Sequence, residues 1–340
     1  MEQHSRTFSY KKAKPAKTCA IVRYGALGDA LQTSSVFPFL KASGYHITVY
    51  VAPHGYEVLR NDPHVDRFVV QDVDAIPNEW LGEFWGYLRA RYDKFINFSE
   101  SVERTLLATP GTTSHSWPYS MRRKHLNKNY LEFMHDIAEV PYKPRSRFYS
   151  TFDEHKWASI ERLKIGEKVV LWCLGGSAVH KHYPHMDSVI QRLTDDGVHV
   201  VTVGDEQATM LEQGLENNPL VHRRAWKWTI RESMSFAKVV DLVIGPETGM
   251  LNSVAFDSVP KVVFMSHSSR ENLTRDWVNC TAIEPQNTAC YPCHQLHYGF
   301  DHCSKGYKDG QVVGSLCQVN IDPGTVYREI GKWLLQEKAA

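Results

Sequence analysis

Short apolar runs punctuate this chain, each followed by an amphipathic stretch, and the series breaks once and then restarts. That rhythm belongs to parallel βαβ units. A strand covered on both faces reads as a continuous apolar run, and each return to the sheet needs a helix with one apolar side. Strands are expected at Cys19–Arg23, Ile47–Val51, near Phe68–Val70 and at Phe95–Phe98. Helices are expected at Ala30–Lys41, near Trp80–Ala90 and at Tyr130–Ala138. The stretch Val140–Ser150, with two prolines and several charges, reads as an interdomain linker. Beyond it, strands are expected at Lys168–Cys173, Val198–Val203, Asp241–Ile244 and Lys261–Met265. Helices are expected at Met186–Thr194, Arg231–Lys238 and Thr325–Gln336, the last with Val326, Ile330, Trp333 and Leu334 on one side.

A length of 340 residues suits two such domains. No apolar run has the length of a membrane span. The polar, lysine-dotted start Met1–Lys17 lacks the apolar core of a secretory signal, which points to the cytoplasm. A net charge of +1 leaves any attraction to an anionic partner to a local patch.

Ligands of open parallel sheets sit beyond the carboxyl ends of the strands, so the loops there are the candidates for chemistry. The first reads Tyr24-Gly25-Ala26-Leu27-Gly28-Asp29. Its glycines permit a tight turn, and its spacing does not fit a dinucleotide fingerprint. Asp29 suits a helix N-cap on its residue type, with catalysis the alternative. The second loop holds Gly175, Gly176 and Ser177, then Lys181-His182-Tyr183-Pro184. Its glycines admit a phosphate to backbone amides, and Lys181 supplies a point charge. The third, Gly245 to Asn252, runs from a strand into a short helix expected over Leu251–Phe256. A helix opening of small residues presents unpaired amides and the positive end of the dipole to a diphosphate.

Two further features stand apart. Four of the seven cysteines, Cys290, Cys293, Cys303 and Cys317, have a spacing that fits a tetrahedral thiolate site for structural zinc or iron, with His294, His297 and His302 as competing ligands. The other reading is four reduced cysteines in a loop-rich segment. Residues His115–Tyr130 interleave Trp117, Tyr119 and Tyr130 with Arg122, Arg123, Lys124, His125 and Lys128. That mixture suits a phosphorylated glycan or a nucleic acid, and also an ordinary solvated surface.

Taken in order, the loops resemble glycosyltransferase family 9, the ADP-heptose-dependent enzymes of lipopolysaccharide core assembly. Gly28-Asp29 stands where members carry Gly-Asp. Lys181-His182-Tyr183-Pro184 stands for Lys-x-Trp-Pro, and Glu247-Thr248-Gly249 for Asp-Thr-Gly, with Asn252 in place of a His. Cys290-Tyr291-Pro292-Cys293, Cys303 and Cys317-Gln318-Val319-Asn320-Ile321 resemble the Cys-rich ending of many members.

The resemblance implies an α/β GT-B architecture, two Rossmann-like domains with parallel sheets facing across a cleft. Residues 1–145 would bind the acceptor. Residues 151–322, with the Cys-rich segment 290–317, would bind the donor, and a C-terminal helix in 323–340 would pack back toward the first domain. It implies an inverting glycosyltransferase whose general base is Asp29 and whose chemistry needs no metal. The donor, a nucleoside-diphosphate sugar of the ADP-heptose kind, would meet Gly28, Gly176, Ser177, Lys181, Trp228, Glu247, Thr248, Gly249, Met250 and Asn252. Arg122, Arg123 and Lys124 would meet an anionic, lipopolysaccharide-type glycan. A hydroxylated nucleic-acid base, or a protein Ser or Thr, are the other acceptors weighed. A nucleotide-sugar binding protein without turnover and a sugar-nucleotide epimerase are the competing classes.

Overall fold

The computed structural model describes residues 17–72, 74–176, 178–296, 303, 306–309 and 312–334. The first sheet contains β1 (Lys17–Arg23), β2 (Tyr45–Val51), β3 (Arg67–Val70) and β4 (Lys94–Asn97), all parallel, in the order β3-β2-β1-β4. The second contains β5 (Val169–Cys173), β6 (His199–Val203), β7 (Val221–Arg223), β8 (Leu242–Pro246), β9 (Lys261–Phe264) and β10 (Cys280–Ile283). It too is parallel, in the order β10-β9-β8-β5-β6-β7. A hairpin, β11 (Gly306–Asp309) with β12 (Val312–Ser315), stands apart from both.

The apolar runs explain the centres of these sheets. Every residue of β5 and β8 is buried, as are the last five of β1, because helices cover both faces. The switch in strand order falls between β1 and β4 in the first sheet and between β5 and β8 in the second. Crevices for ligands open at such points. The loops after β1, β4, β5 and β8 are therefore the ones that matter.

The single helix expected over Ala30–Lys41 is two, Leu27–Thr33 and Phe37–Ala42. Pro38 has no amide hydrogen to continue the first and instead sits in the opening turn of the second. Between the sheets, residues 140–150 form an extended strap whose Phe148 is fully buried. Arg145 and Arg147 donate their backbone N–H groups to Ser35 and Ser34, and Lys238 donates to the Phe148 carbonyl at 2.6 Å.

The described part of the C-terminal segment, the helix Pro323–Leu334, lies against the second domain. Val326 and Ile330 are buried in the core of the second domain with Leu174, Tyr183 and Ile244, and Trp333 Nε1 donates to Thr281 Oγ1 on β10. Its apolar stripe is met there, so through Leu334 it packs on the second domain. Among the described residues no helix is long and apolar enough to cross a membrane.

Candidate active site

The first half of the site grows from the end of β1. Arg23 is buried at 2% exposure, and burying a guanidinium demands partners. It donates to the Phe98 carbonyl at 2.6 Å and to both carboxylate oxygens of Glu103, at 2.7 and 3.1 Å. Its Nη2 also lies 3.2 Å from Asp29 Oδ1. Burial works against the charge, but Asp29 and Glu103 together hold Arg23 protonated beyond the ordinary arginine value. Gly25 is small for this reason: a Cβ there would stand 2.8 Å from Arg23 Nε.

Asp29 is not the N-cap its residue type suggests. Ala26 holds that position, and Asp29 lies in the first helical turn, its Oδ2 accepting the Ala26 N–H at 3.0 Å. One carboxylate oxygen is thus engaged by Ala26 and the other by Arg23, while a third of the side chain stays exposed. The group is held in orientation and open to a partner.

The second half forms beyond β5 and β8. Lys181 is 8% exposed and donates to the Glu247 carbonyl at 3.0 Å, with the Glu247 carboxylate 3.9 Å away. Glu247 accepts the Ser266 hydroxyl and lies 3.4 Å from His267 Nδ1, while its Oε2 is buried without a hydrogen-bond partner. Burial raises the Glu247 carboxyl above the ordinary glutamate range, and Lys181 and Ser266 oppose that shift. A Cβ on Gly176 would lie 2.8 Å from Lys181 Cδ and 3.1 Å from Thr248 Cγ2, so the second and third loops touch. Thr248 precedes the helix Gly249–Ser253, and its buried hydroxyl has no hydrogen-bond partner.

The halves meet. A Cβ on Gly28 would lie 3.2 Å from Gly249 Cα, and one on Gly249 would lie 2.9 Å from Gly28 N. Beside this contact Gln32 Nε2 donates to Asn252 Oδ1 at 3.2 Å, both residues buried. Tyr130 shares its hydroxyl with Ser268 at 2.7 Å. Its burial, and then the charges of Glu247, Glu103 and Asp29, raise it above the ordinary phenol value. That one hydroxyl senses carboxylates from both domains. Two helix openings and two carboxylates, Asp29 and Glu247, therefore share one interdomain junction.

Other expected site residues are placed elsewhere or otherwise. Trp228 packs edge-on to Trp157, with ring centroids 5.1 Å apart, and lies 4.8 Å from Phe236, as a half-buried part of the second domain's core. Arg122 is 6% exposed. It donates to the carbonyls of Ser114 at 3.1 Å, Cys293 at 3.3 Å and His115, so its charge is turned inward. Arg123 donates to the Ala289 carbonyl, and Lys124 alone of the three is exposed. Met250 is half-buried against both domain cores. Ser177, His297 and His302 lie outside the described residues. Sequence reasoning missed Arg23 and Glu103, and gave Tyr130 only as an aromatic of the basic stretch His115–Tyr130.

The four late cysteines line one cavity of about 20 Å³, with His180, Ser266 and His267 on its wall. That is space for about one water-sized sphere. None of the four is in a disulfide, and burial pushes Cys293 up to about 11 and Cys317 up to about 12. Among the described residues no three Cys, His, Asp or Glu side chains form a group that could hold a metal ion as they stand. The donor set and the cavity size nevertheless suit a single soft cation, which would reverse those thiol shifts. Ser266 and His267 belong to both this cavity and the Glu247 network, so the two sites share a wall.

The whole arrangement is similar to a glycosyl transferase family 9 structure from Veillonella parvula, at 14% identity and a TM-score of 0.69, over 94% of this chain and 98% of that one. It is similar to E. coli ADP-heptose lps heptosyltransferase II, at 15% identity and a TM-score of 0.64, over 94% and 99% of the two chains. It is also similar to the iron-containing dodecameric glycosyltransferase TibC from enterotoxigenic E. coli, at 14% identity and a TM-score of 0.59, over 94% and 76%. No family model and no curated protein matches the sequence. At these identities the likeness is one of fold: two parallel-sheet α/β domains facing each other, the GT-B architecture.

Proposed function

We propose that this chain is an inverting glycosyltransferase that moves a sugar from a nucleoside-diphosphate sugar, of the ADP-heptose kind, to an acceptor hydroxyl. Fold alone does not carry this, since one fold hosts many reactions. The observation that supports it is the backbone contact of Gly28 with Gly249, which brings the turn carrying Asp29 against the loop that opens the helix at Gly249.

In the reading proposed, the acceptor oxygen attacks the anomeric carbon from the first-domain side and its proton passes to Asp29. The bond from that carbon to the β-phosphate oxygen breaks, and the electron pair leaves with the diphosphate. Base catalysis of this kind contributes roughly 10²–10⁴-fold. Lys181 and the amides at Thr248, Gly249 and Met250 neutralise the charge that develops on the leaving group, in the role a divalent cation would otherwise fill. Gly176 borders the same phosphates. Glu247 and Asn252 shape the opening.

The acceptor we propose is a lipopolysaccharide-type glycan, on the likeness to heptosyltransferase II. Lys124 is the exposed cation of the basic loop available to it, Arg122 and Arg123 being turned to main-chain carbonyls. The four cysteines are proposed to hold one structural zinc or iron. Seven cysteines outside any disulfide fit a reducing compartment, and we place the protein in the cytoplasm.

A thermal-shift screen with ADP- and UDP-sugars tests the reading. A donor at about 100 times its dissociation constant should stabilise the fold by roughly 2.7 kcal/mol. Asp29→Asn should keep that stabilisation and lose turnover. The reading fails if no nucleotide sugar stabilises the protein, or if turnover survives in Asp29→Asn.

A further inference from the structure

We infer that Arg23 and Glu103 are a positioning pair for Asp29: Arg23 fixes the direction of its carboxylate, and Glu103 takes the two-point pairing of the same guanidinium, so that Asp29 is not its sole counter-charge. The inference rests on the proposed role of Asp29 as base and goes beyond it by assigning two further residues.

Geometry carries the argument. Arg23 sits at the end of β1 with its guanidinium packed against Gly25 and anchored on the Phe98 carbonyl at 2.6 Å. Its fork closes on Glu103 with contacts of 2.7 and 3.1 Å, while a single longer contact of 3.2 Å reaches Asp29. The stronger, two-point pairing therefore goes to the residue with no place in the proposed chemistry. A lone buried guanidinium beside Asp29 would orient that carboxylate and also make it a poor base, since an opposite charge within hydrogen-bond reach favours the ionised form. Sharing the cation with Glu103 keeps the orientation and offsets part of that field. The Ala26 N–H fixes the second oxygen, so Asp29 has both oxygens located before any substrate arrives.

Among the described residues no other charged group contacts Asp29, and Arg104 on the helix of Glu103 pairs with Glu100. The helix Leu27–Thr33 carries no other ionisable side chain. The helix Gly249–Ser253 carries none. The neighbouring helix Pro53–Leu59 presents His54, whose Nε2 meets the Gly25 carbonyl at 2.6 Å, and Glu57, which pairs with Arg60. Tyr130 faces the site from its own helix and is neutral. Beyond it Glu247 stands with Lys181 as a separate pair.

The test is the pH dependence of kcat/KM for diphosphate release from the nucleotide sugar that raises the melting temperature most. Glu103→Gln leaves Arg23 uncompensated, so the acid limb of the profile should move to lower pH by about one unit, with kcat reduced. Arg23→Gln removes the cation, and the limb should move the opposite way by a similar amount. Glu103→Asp keeps the charge and should leave the limb in place. A purely structural role would lower the melting temperature without moving either limb. Should one variant fail to fold, the sign of the shift in the other decides. A limb that stays fixed, or moves in the wrong direction, overturns the pairing while leaving Asp29 as base. Diphosphate release that survives Asp29→Asn, or is absent from the wild type with every donor, removes the proposed function and this inference together.

Discussion

Gly28 and Gly249 approach each other backbone to backbone across the domain junction, with the Gly28 nitrogen 2.9 Å from where a Gly249 Cβ would stand. The same Cβ would lie 3.0 Å from Leu27 Cβ, so two separate atoms of the first domain forbid it. Gly249→Ala should therefore push the helix openings apart. Overpacking of this kind costs about 1–3 kcal/mol, a fall of a few degrees by calorimetry. Gly28→Ala meets the Asn252 amide nitrogen at 3.0 Å, whose bond to the Thr248 carbonyl would have to give, and the Gly249 Cα at 3.2 Å, contacts slightly longer than those at Gly249, and it gains helix propensity. It should be the milder of the two. Equal losses would mean that the junction is not tight.

Glu247 predicts a pH signature. Burial raises its carboxyl in the folded protein, so the unfolded chain loses that proton first as pH rises. In the interval between the two values the folded state binds more protons, and stability falls with increasing pH. Above the folded value the loss is complete and constant. Glu247→Gln lacks this proton. The wild-type melting temperature minus that of the variant should therefore decline as pH climbs past the ordinary glutamate range. Because the comparison is a difference, the opposite contribution of Glu154, whose carboxyl Arg231 holds low at about 2, cancels. A flat difference would show that Glu247 ionises as freely in the fold as outside it.

The centres of both sheets were legible because strands buried on two faces leave unbroken apolar runs, as at Ile21–Val22 and Val169–Cys173. The edges were not. β7 is Val221–Arg223, half-buried throughout, and β10 begins on a half-buried Cys280, so neither produces such a run. The helix Phe152–Ile165 escaped because its large apolar residues Phe152 and Leu163 are 80% and 83% exposed, which blurs the helical period. The site divides likewise. Glycine and small-residue loops are local signals and marked the right turns. Arg23 reads as an ordinary strand end, and the Glu103 that makes its burial tolerable lies 80 residues away. The basic stretch illustrates the converse error: Arg122 looked available from its neighbours, and the folded chain turns it inward onto the carbonyls of Ser114, His115 and Cys293, the last 171 positions on.

That placement makes Arg122 a brace between the first domain and the Cys-rich segment. Its guanidinium serves the carbonyls of Ser114, His115 and Cys293 from a buried position. Arg122→Ala should cost about 2–4 kcal/mol, because buried acceptors lose charged donors. Limited proteolysis should cut faster near residues 289–296, where the backbone bonds Ala108 N–H to His294 O and Leu296 N–H to Ala108 O adjoin the brace. Lys124→Ala should leave stability within about 0.5 kcal/mol, as an exposed substitution does. A stable Arg122→Ala that loses acceptor binding instead would restore Arg122 to the acceptor surface.

The shared wall between the cysteine cavity and the Glu247 network gives the last prediction. If Cys290, Cys293, Cys303 and Cys317 hold one zinc or iron, elemental analysis of the purified protein should find about one equivalent, and Cys293→Ser should lower it. Metal binding to folded thiolates stabilises the fold by mass action. A strong chelator should therefore lower the melting temperature, more at high pH than at low, since proton competition already weakens the thiolates in acid. Ser266 and His267 line the cavity and also touch Glu247, so chelation should weaken the thermal shift given by a nucleotide sugar as well as the melting temperature itself. A Cys293→Ser protein with unchanged metal content, melting temperature and donor response would reduce the four cysteines to packing residues.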